Sequence, residues 1–290
     1  MSASAAPAAP VAGRPRARIG WLLVPYTLLL AALLILPVAT LAEISFRGHD
    51  PLVLTGQGFS TAQYERLWDS YYLKLFVETL KMALLSTAVA AVLGYPVAYI
   101  IARAEGWKST LTLLVMIPLM TSVVVKVLGW YIALGPRSII VDALAAITGE
   151  RMRLLNSQGA VLLGLVEFAL PFMIMSLSAT IERIPRGLED AAANLGASPL
   201  LVLLKVVLPM SRPGIISGFL LCFGVSASAY VVPAVLGGTS IRMAAQEIYD
   251  LVQAAFSWPA ASALAVAMLV FLSVVIGIAL RLGSDQRSAR

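Results

Sequence analysis

Charge is scarce in this chain. Its 290 residues include 21 Lys and Arg and 15 Asp and Glu, so charged side chains make up only 12%. A soluble domain carries about 25%. Apolar residues reach 60%, and a globule of that composition would leave more apolar surface in water than a soluble monomer tolerates. Disorder is excluded by the same figures, since it requires low hydrophobicity and high net charge. The fitting solvent is a bilayer. Cysteine and histidine occur once each. A single cysteine, Cys222, allows no intrachain disulfide, and in its apolar run it reads as a small packing residue. A single histidine, His49, leaves no His/Cys metal set. A Ser-His-Asp triad would have to use this loop residue beside Asp50 and Pro51, which reads as a solvated histidine. The chain contains no Gly-Lys pair. A G-x-x-x-x-G-K-[ST] phosphate loop is therefore absent, and ATP is not cradled by that route.

What is plentiful is long apolar runs. A membrane helix needs about 20 mostly apolar residues, and six runs qualify: 21–42, 76–101, 111–134, 159–181, 213–236 and 259–281. The predicted fold is all-α, a polytopic membrane protein with six transmembrane helices in a single domain over 19–283. Residues 1–18, rich in Ala and Pro, read as a disordered tail, and 284–290 as a second tail. The first run is longer than the roughly 7–15-residue core of a signal peptide and reads as an uncleaved span. Pro25, Pro37, Pro96, Pro118, Pro171 and Pro233 lie within the runs and read as shape-setting kinks.

Six spans place both tails on one side, and the basic residues choose it. That side collects Arg14, Arg16, Arg18, Arg103, Lys108, Arg183, Arg186, Lys205, Arg212, Arg281, Arg287 and Arg290. The other side has only Arg47, Arg66, Lys74, Arg137, Arg151, Arg153 and Arg242. The excess predicts cytoplasmic tails, so the net charge of +6 is an orientation signal and not a nucleic-acid footprint. Trp68, Tyr71, Tyr72, Tyr249 and Trp258 in the outer loops read as interface anchors. Glu78 and Lys81 read as a local helix-surface pair, and Gly214 and Gly218 as a close-packing step.

The loop over 182–212 carries a distinct grammar. Pro185 starts a helix, and Gly196 ends it because Gly accepts the left-handed conformation. Ser198 suits the next N-cap, with Pro199 at the first helical position. Pro209 and Pro213 then stop an apolar run. A polar–apolar helix pair at the membrane surface is a docking element or a linker packed under the bundle. Within it Asp190, Ala191, Ala192, Gly196, Leu208 and Pro209 stand in the pattern of an acidic residue, two alanines, three residues, a glycine and a later Leu-Pro.

That stretch resembles the EAA loop of ABC-importer permeases, with Asp190 where the motif has Glu. The run Ala160–Leu177, the Asn-Leu-Gly-Ala-Ser within the loop, Trp258-Pro259, and Lys126 followed by Gly129-Trp130 are similar to the spermidine/putrescine branch of that family. The resemblance covers about 18–282. It implies a type I ABC importer permease fold, a multi-pass place in the bacterial inner membrane, and a second permease subunit as heterodimer partner. It implies two ATP-binding subunits that hold ATP and Mg, with no cofactor on this chain, and a periplasmic substrate-binding protein. It gives the ATPase-coupling role to Arg186, Glu189, Asp190, Ala191, Ala192, Gly196, Ala197, Ser198 and Pro209, with Arg186, Glu189 and Asp190 expected at the rim of the contact.

Intramembrane charges are costly and face a bundle interior or a cavity. Lys126, near Trp130, and Glu167, near Phe168 and Phe172, either pair with each other or line a substrate pathway. Glu167 beside aromatic rings suits an ammonium cargo, whereas Lys126 repels one. The expected function is translocation of a polyamine by an ATP-driven importer. The alternatives are an anionic, phosphonate- or opine-like cargo in the same class, and a six-helix transporter or channel that works without ATP.

Overall fold

The computed structural model describes residues 17–48, 56 and 58–284. His49 and the expected tails lie outside these residues, except that Ala17 and Arg18 begin the first helix and Ser284 ends the last. The chain order is α1 (Ala17–Ser45), α2 (Ala62–Arg66), α3 (Ser70–Arg103), α4 (Lys108–Met120), α5 (Val123–Ala133), α6 (Ile139–Thr148), α7 (Gln158–Ile181), α8 (Arg186–Asn194), α9 (Pro199–Val202), α10 (Leu208–Met210), α11 (Arg212–Ala227), α12 (Ala244–Gln253) and α13 (Trp258–Ser284). Two π-helical segments, Leu203–Val207 and Pro233–Gly237, interrupt the second half. The fold is all-α, and among the described residues the extended backbone amounts to one isolated bridge, Arg47 to Phe59.

Four helices are long and apolar enough to cross a membrane: Val24–Ser45, Ser70–Arg103, Gln158–Ile181 and Trp258–Arg281. Two of the expected runs depart from a straight span. The third is two helices, α4 and α5, bent by 86° at Thr121–Ser122. Pro118 deletes a backbone donor one turn earlier, and Thr121 Oγ1 donates instead to the Ile117 carbonyl (3.3 Å). The fifth ends as a regular helix at Ala227, and helical backbone returns at Val231 and runs into the π-helical segment Pro233–Gly237. The second begins six residues earlier than its apolar run, at Ser70. At 1.5 Å per residue α3 is about 51 Å long, well beyond the roughly 30 Å of a hydrocarbon core, so it carries side chains past both ends.

α7 is the axis of the bundle. Ser157 caps it by accepting from the Ala160 N–H (3.2 Å), and apart from Glu167 the helix is largely apolar around its circumference, as an enclosed helix must be. It packs against α3, α11, α4, α5 and the second π-helical segment. Toward the loop end, Met173, Ile174, Leu177 and Ile181 join Ala98, Ile101, Val202 and Val207 in one cluster. Toward the far end, Val161 and Leu165 join Met82, Val127, Val232, Leu236 and Met243. A third cluster, around Phe223, Ala244 and Leu264, fixes α12 and α13. α1 packs on α13 and leaves most of its apolar side chains exposed.

The α7–α11 seam is set by small residues. A Cβ on Gly214 would sit 2.5 Å from Thr180 Oγ1 and 2.7 Å from Thr180 Cβ. The closeness lets Ser176 Oγ donate to the Gly214 carbonyl (3.1 Å) and bond Ser217 Oγ (2.7 Å). Gly214→Ala should lower unfolding stability by about 1–3 kcal/mol through overpacking. Gly187→Ala, where nothing lies within 4 Å of the added carbon, should gain up to about 1 kcal/mol of helix propensity. Thermal unfolding in detergent reads both signs.

Candidate functional site

The loop end is a capped helix pair. α8 starts after Pro185 (φ −60°, ψ 127°) and ends at Leu195. Gly196 follows at φ +85°, in the left-handed region where a Cβ is strained. Its N–H donates to the Ala193 carbonyl (2.9 Å) and that of Ala197 to the Ala192 carbonyl (3.1 Å). This pair of bonds is the Schellman arrangement that satisfies a helix's last carbonyls. Ser198 Oγ then accepts from the Leu201 N–H (3.4 Å), and Pro199 takes the first position of α9. Pro209 has no N–H to donate back into the helix. Just before it, the Leu208 N–H reaches the Leu203 carbonyl, five residues back, and closes the π turn. Val202 and Val207 are buried with Ile181 and Ile184, so the second arm is tucked under the bundle.

Charged residues fasten the first arm to α3. Arg103 forms an ion pair with Glu189, and both side chains are only 14% exposed. Tyr99 donates its hydroxyl to Glu189 Oε2 (2.8 Å), and Arg103 also donates to the Ile184 carbonyl (3.2 Å). Arg186 pairs with Glu105 and donates to the Arg103 carbonyl (3.0 Å), and Lys108 pairs with Glu182. Arg186 and Glu189, expected at a rim, are therefore engaged by their own chain. The face left open holds Asp190, Ala191, Leu195, Ser198 and Leu200, with Leu195 89% exposed. Ala192, Ala197 and Pro209 are half-buried.

Deeper in the bundle, Lys126 and Glu167 meet. Lys126 Nζ lies 3.0 Å from Glu167 Oε1 and 5.7 Å from the centre of the Phe168 ring, within cation–π range. Phe172 meets Phe168 edge to face at 6.3 Å. Trp130 packs instead into the far cluster around Val127 and Val161. The structure thus gathers Lys126, Glu167 and Phe168 at one point, with Phe172 behind them. Lys126 sits one turn past the break in the third run, its N–H donating to the Ser122 carbonyl (3.1 Å).

Two features escaped the sequence. Arg103 and Tyr99 lie about 90 residues from Glu189, and no local signal joins them. At the far end Arg242 pairs with Asp250 and with Glu247 (3.4 Å), while Tyr71 donates to Glu247 Oε2 (2.5 Å). The expected anchor Tyr71 is thereby tied to α12. Glu247 three residues before Asp250 on an amphipathic stretch was the available clue.

Bent apolar helices around a deep ion pair, with a capped helix pair clamped to one end, define a membrane-embedded transport subunit. The chain belongs to the family of binding-protein-dependent transport system inner membrane components, matched over residues 94–288. It is a multi-pass inner-membrane permease subunit of an ABC importer. It is 28% identical over 245 residues to the spermidine/putrescine transport system permease protein PotB of Haemophilus influenzae, covering 83% of this chain and 86% of that one. It is 27% identical over 249 residues to PotC of the same organism, covering 84% and 90%. The crystal structure of a bacterial ABC transporter that imports the acidic polysaccharide alginate contains a chain of the same fold. Its TM-score is 0.70 at 17% identity, over 92% of this chain and 95% of that chain.

Removing the cation of the loop clamp should loosen α8. Arg103→Met strands the Glu189 carboxylate, and a bond to a charged group is worth about 1.5–3 kcal/mol. Amide hydrogen exchange over 186–197 should accelerate by roughly 10- to 100-fold, and Glu189→Gln in the same chain should recover much of the protection.

Proposed function

We propose that this permease passes a polyamine of the spermidine/putrescine kind, delivered by a periplasmic binding protein, and that ATP hydrolysis occurs on separate subunits. The observation that carries the coupling half of this reading is the open face of the clamped helix pair. Leu195, Leu200 and the small Ala191 are exposed beside Asp190. An apolar patch held on a rigid support marks a protein contact. Small side chains let a helix seat closely in a groove, and Asp190 sets register more than affinity. Two ATPase chains, holding ATP and Mg, would take this face on the permease pair. Closure of the ATPases would push through α8 and the buried second arm onto α7 and α11. Both termini would then lie in the cytoplasm, in keeping with the basic residues of that side. Similarity to both PotB and PotC of one organism supports pairing with a second, related permease.

The cargo half rests on the PotB relationship, which spans most of both chains, and on the deep pair. Lys126 is already matched by Glu167, so it offers an anionic cargo no unneutralised cation. The carboxylate and the Phe168 ring together are suited to an ammonium group.

Leu195→Asp tests the coupling face, because the side chain makes little contact within the chain. Stability should stay within about 0.5 kcal/mol of the parent. ATPase co-purification and spermidine uptake into proteoliposomes should both be lost. Retention of both would remove this face from the contact. Failure of unlabelled spermidine and putrescine to compete with one another for uptake would remove the cargo assignment.

A further inference from the structure

The deep pair has the composition of a binding site that is already occupied. Glu167 supplies a carboxylate, Phe168 a ring face, and Lys126 a primary ammonium 3.0 Å from the one and 5.7 Å from the centre of the other. A polyamine presents the same chemical group, an alkylammonium on a flexible methylene stem.

The two partners are not held alike. Glu167 stands on α7, packed on several sides by other helices. Lys126 stands on α5, which begins at the 86° bend and exposes Val124, Val125 and Leu128 on its neighbouring positions. Gly129, three residues on, has nothing within 4 Å of its Cβ position. Lys126 is also the fourth residue of its helix, near the positive end of the backbone dipole, where a cation is disfavoured. Val127 and Trp130 tie α5 itself to α7, so the member that can swing away is the ammonium on its flexible four-carbon stem, not the helix.

This chain alone does not enclose the pair. The Glu167 side chain keeps 27% of its exposure, against 12% for Lys126. Thr121 and Ser122, at the bend, are exposed. Irregular backbone at membrane depth is tolerated only where protein covers it or a water-filled cavity meets it, so the side of the pair at the bend is not a lipid face.

We propose that Glu167 and Phe168 form a single-ammonium site whose resident occupant is Lys126, and that a cargo amine enters by displacing this tethered competitor. The inference rests on the polyamine reading for its cargo but not for its site. A resident cation keeps the carboxylate neutralised between transport events, which avoids the cost of an unpaired buried charge, and it sets a threshold that monovalent metal ions, lacking the alkyl stem, do not meet.

The test uses the whole transporter, purified with its partner subunits. Lys126→Ala vacates the stem and leaves Glu167 unpaired, and n-butylammonium is the probe. Its binding should raise the thermal midpoint of the Lys126→Ala transporter in a saturable manner, as expected for a ligand of the folded state alone. The parent and Lys126→Ala/Glu167→Gln should not respond. A flat response from Lys126→Ala overturns the proposal. Should that variant fail to assemble, Lys126→Met keeps the volume, and the spermidine concentration giving half-maximal ATP hydrolysis should fall roughly tenfold. A short tether sets a competitor's effective concentration in the millimolar range. An unchanged value overturns the proposal equally. Butylammonium rescue without any response to spermidine would keep the site and sink the cargo assignment instead.

Discussion

An ionised side chain removed from water must find its countercharge inside the protein, and in this chain that requirement ties together segments that are distant in sequence. Lys126 finds Glu167 and Arg103 finds Glu189, while the more exposed Lys108 and Arg186 pair with Glu182 and Glu105. Such pairs add little net stability over an apolar packing of the same volume, but breaking one by removing a partner is costly. Their effect is selective. The Arg103–Glu189 pair, reinforced by Tyr99 and the Ile184 carbonyl, admits one seating of α8 against the end of α3. The other two pairs of the loop are at least 45% exposed on each side chain and are screened accordingly, so they guide the loop more than they hold it.

The same seating would let a loop drive a bundle. A contact on α8 alone would be absorbed by bending if α8 were free. Here its first arm is fixed to α3 and its second arm is buried against α7 through Val202 and Val207. α7 in turn meets α11 through a seam too close for a side chain at Gly214. Packed interiors deform little, so a displacement applied at the open face would arrive at α7 and α11 largely undiminished. Beyond Ala227 the regular helix stops, and helical backbone returns at Val231 and runs into the π-helical segment Pro233–Gly237.

Much of this was legible in the sequence where the determinants are local. The apolar runs fixed the fold class, and the Pro185, Gly196, Ser198 and Pro199 punctuation marked both arms of the loop, because caps are decided by the residues that form them. The bend in the third run was not legible. Pro118, Thr121 and Ser122 are each tolerated within a straight membrane helix, and only the packing of α5 against the second π-helical segment reveals that the chain turns there. The rim role expected of Arg186 and Glu189 failed to anticipate their partners for a related reason. A charge on an amphipathic loop helix looks solvent-facing until the protruding end of a helix about 90 residues earlier supplies Arg103 and Tyr99 to Glu189, and Glu105 just beyond it to Arg186.

The apparent contradiction between Lys126 and Glu167 about the sign of the cargo dissolves once their unequal mobility is considered. A paired site is neutral, and its selectivity belongs to whichever member stays behind when the pair opens. Were the lysine fixed and the glutamate mobile, the open site would attract anions. The reverse is proposed here, because Glu167 is rooted in the central helix while the Lys126 ammonium is carried on a flexible four-carbon stem. Swinging of the Lys126 stem away from Glu167 would therefore convert a neutral contact into an exposed carboxylate. Coupling that motion to the loop end would expose the carboxylate only during part of the transport cycle, and a cation bound there would be released as the lysine returns.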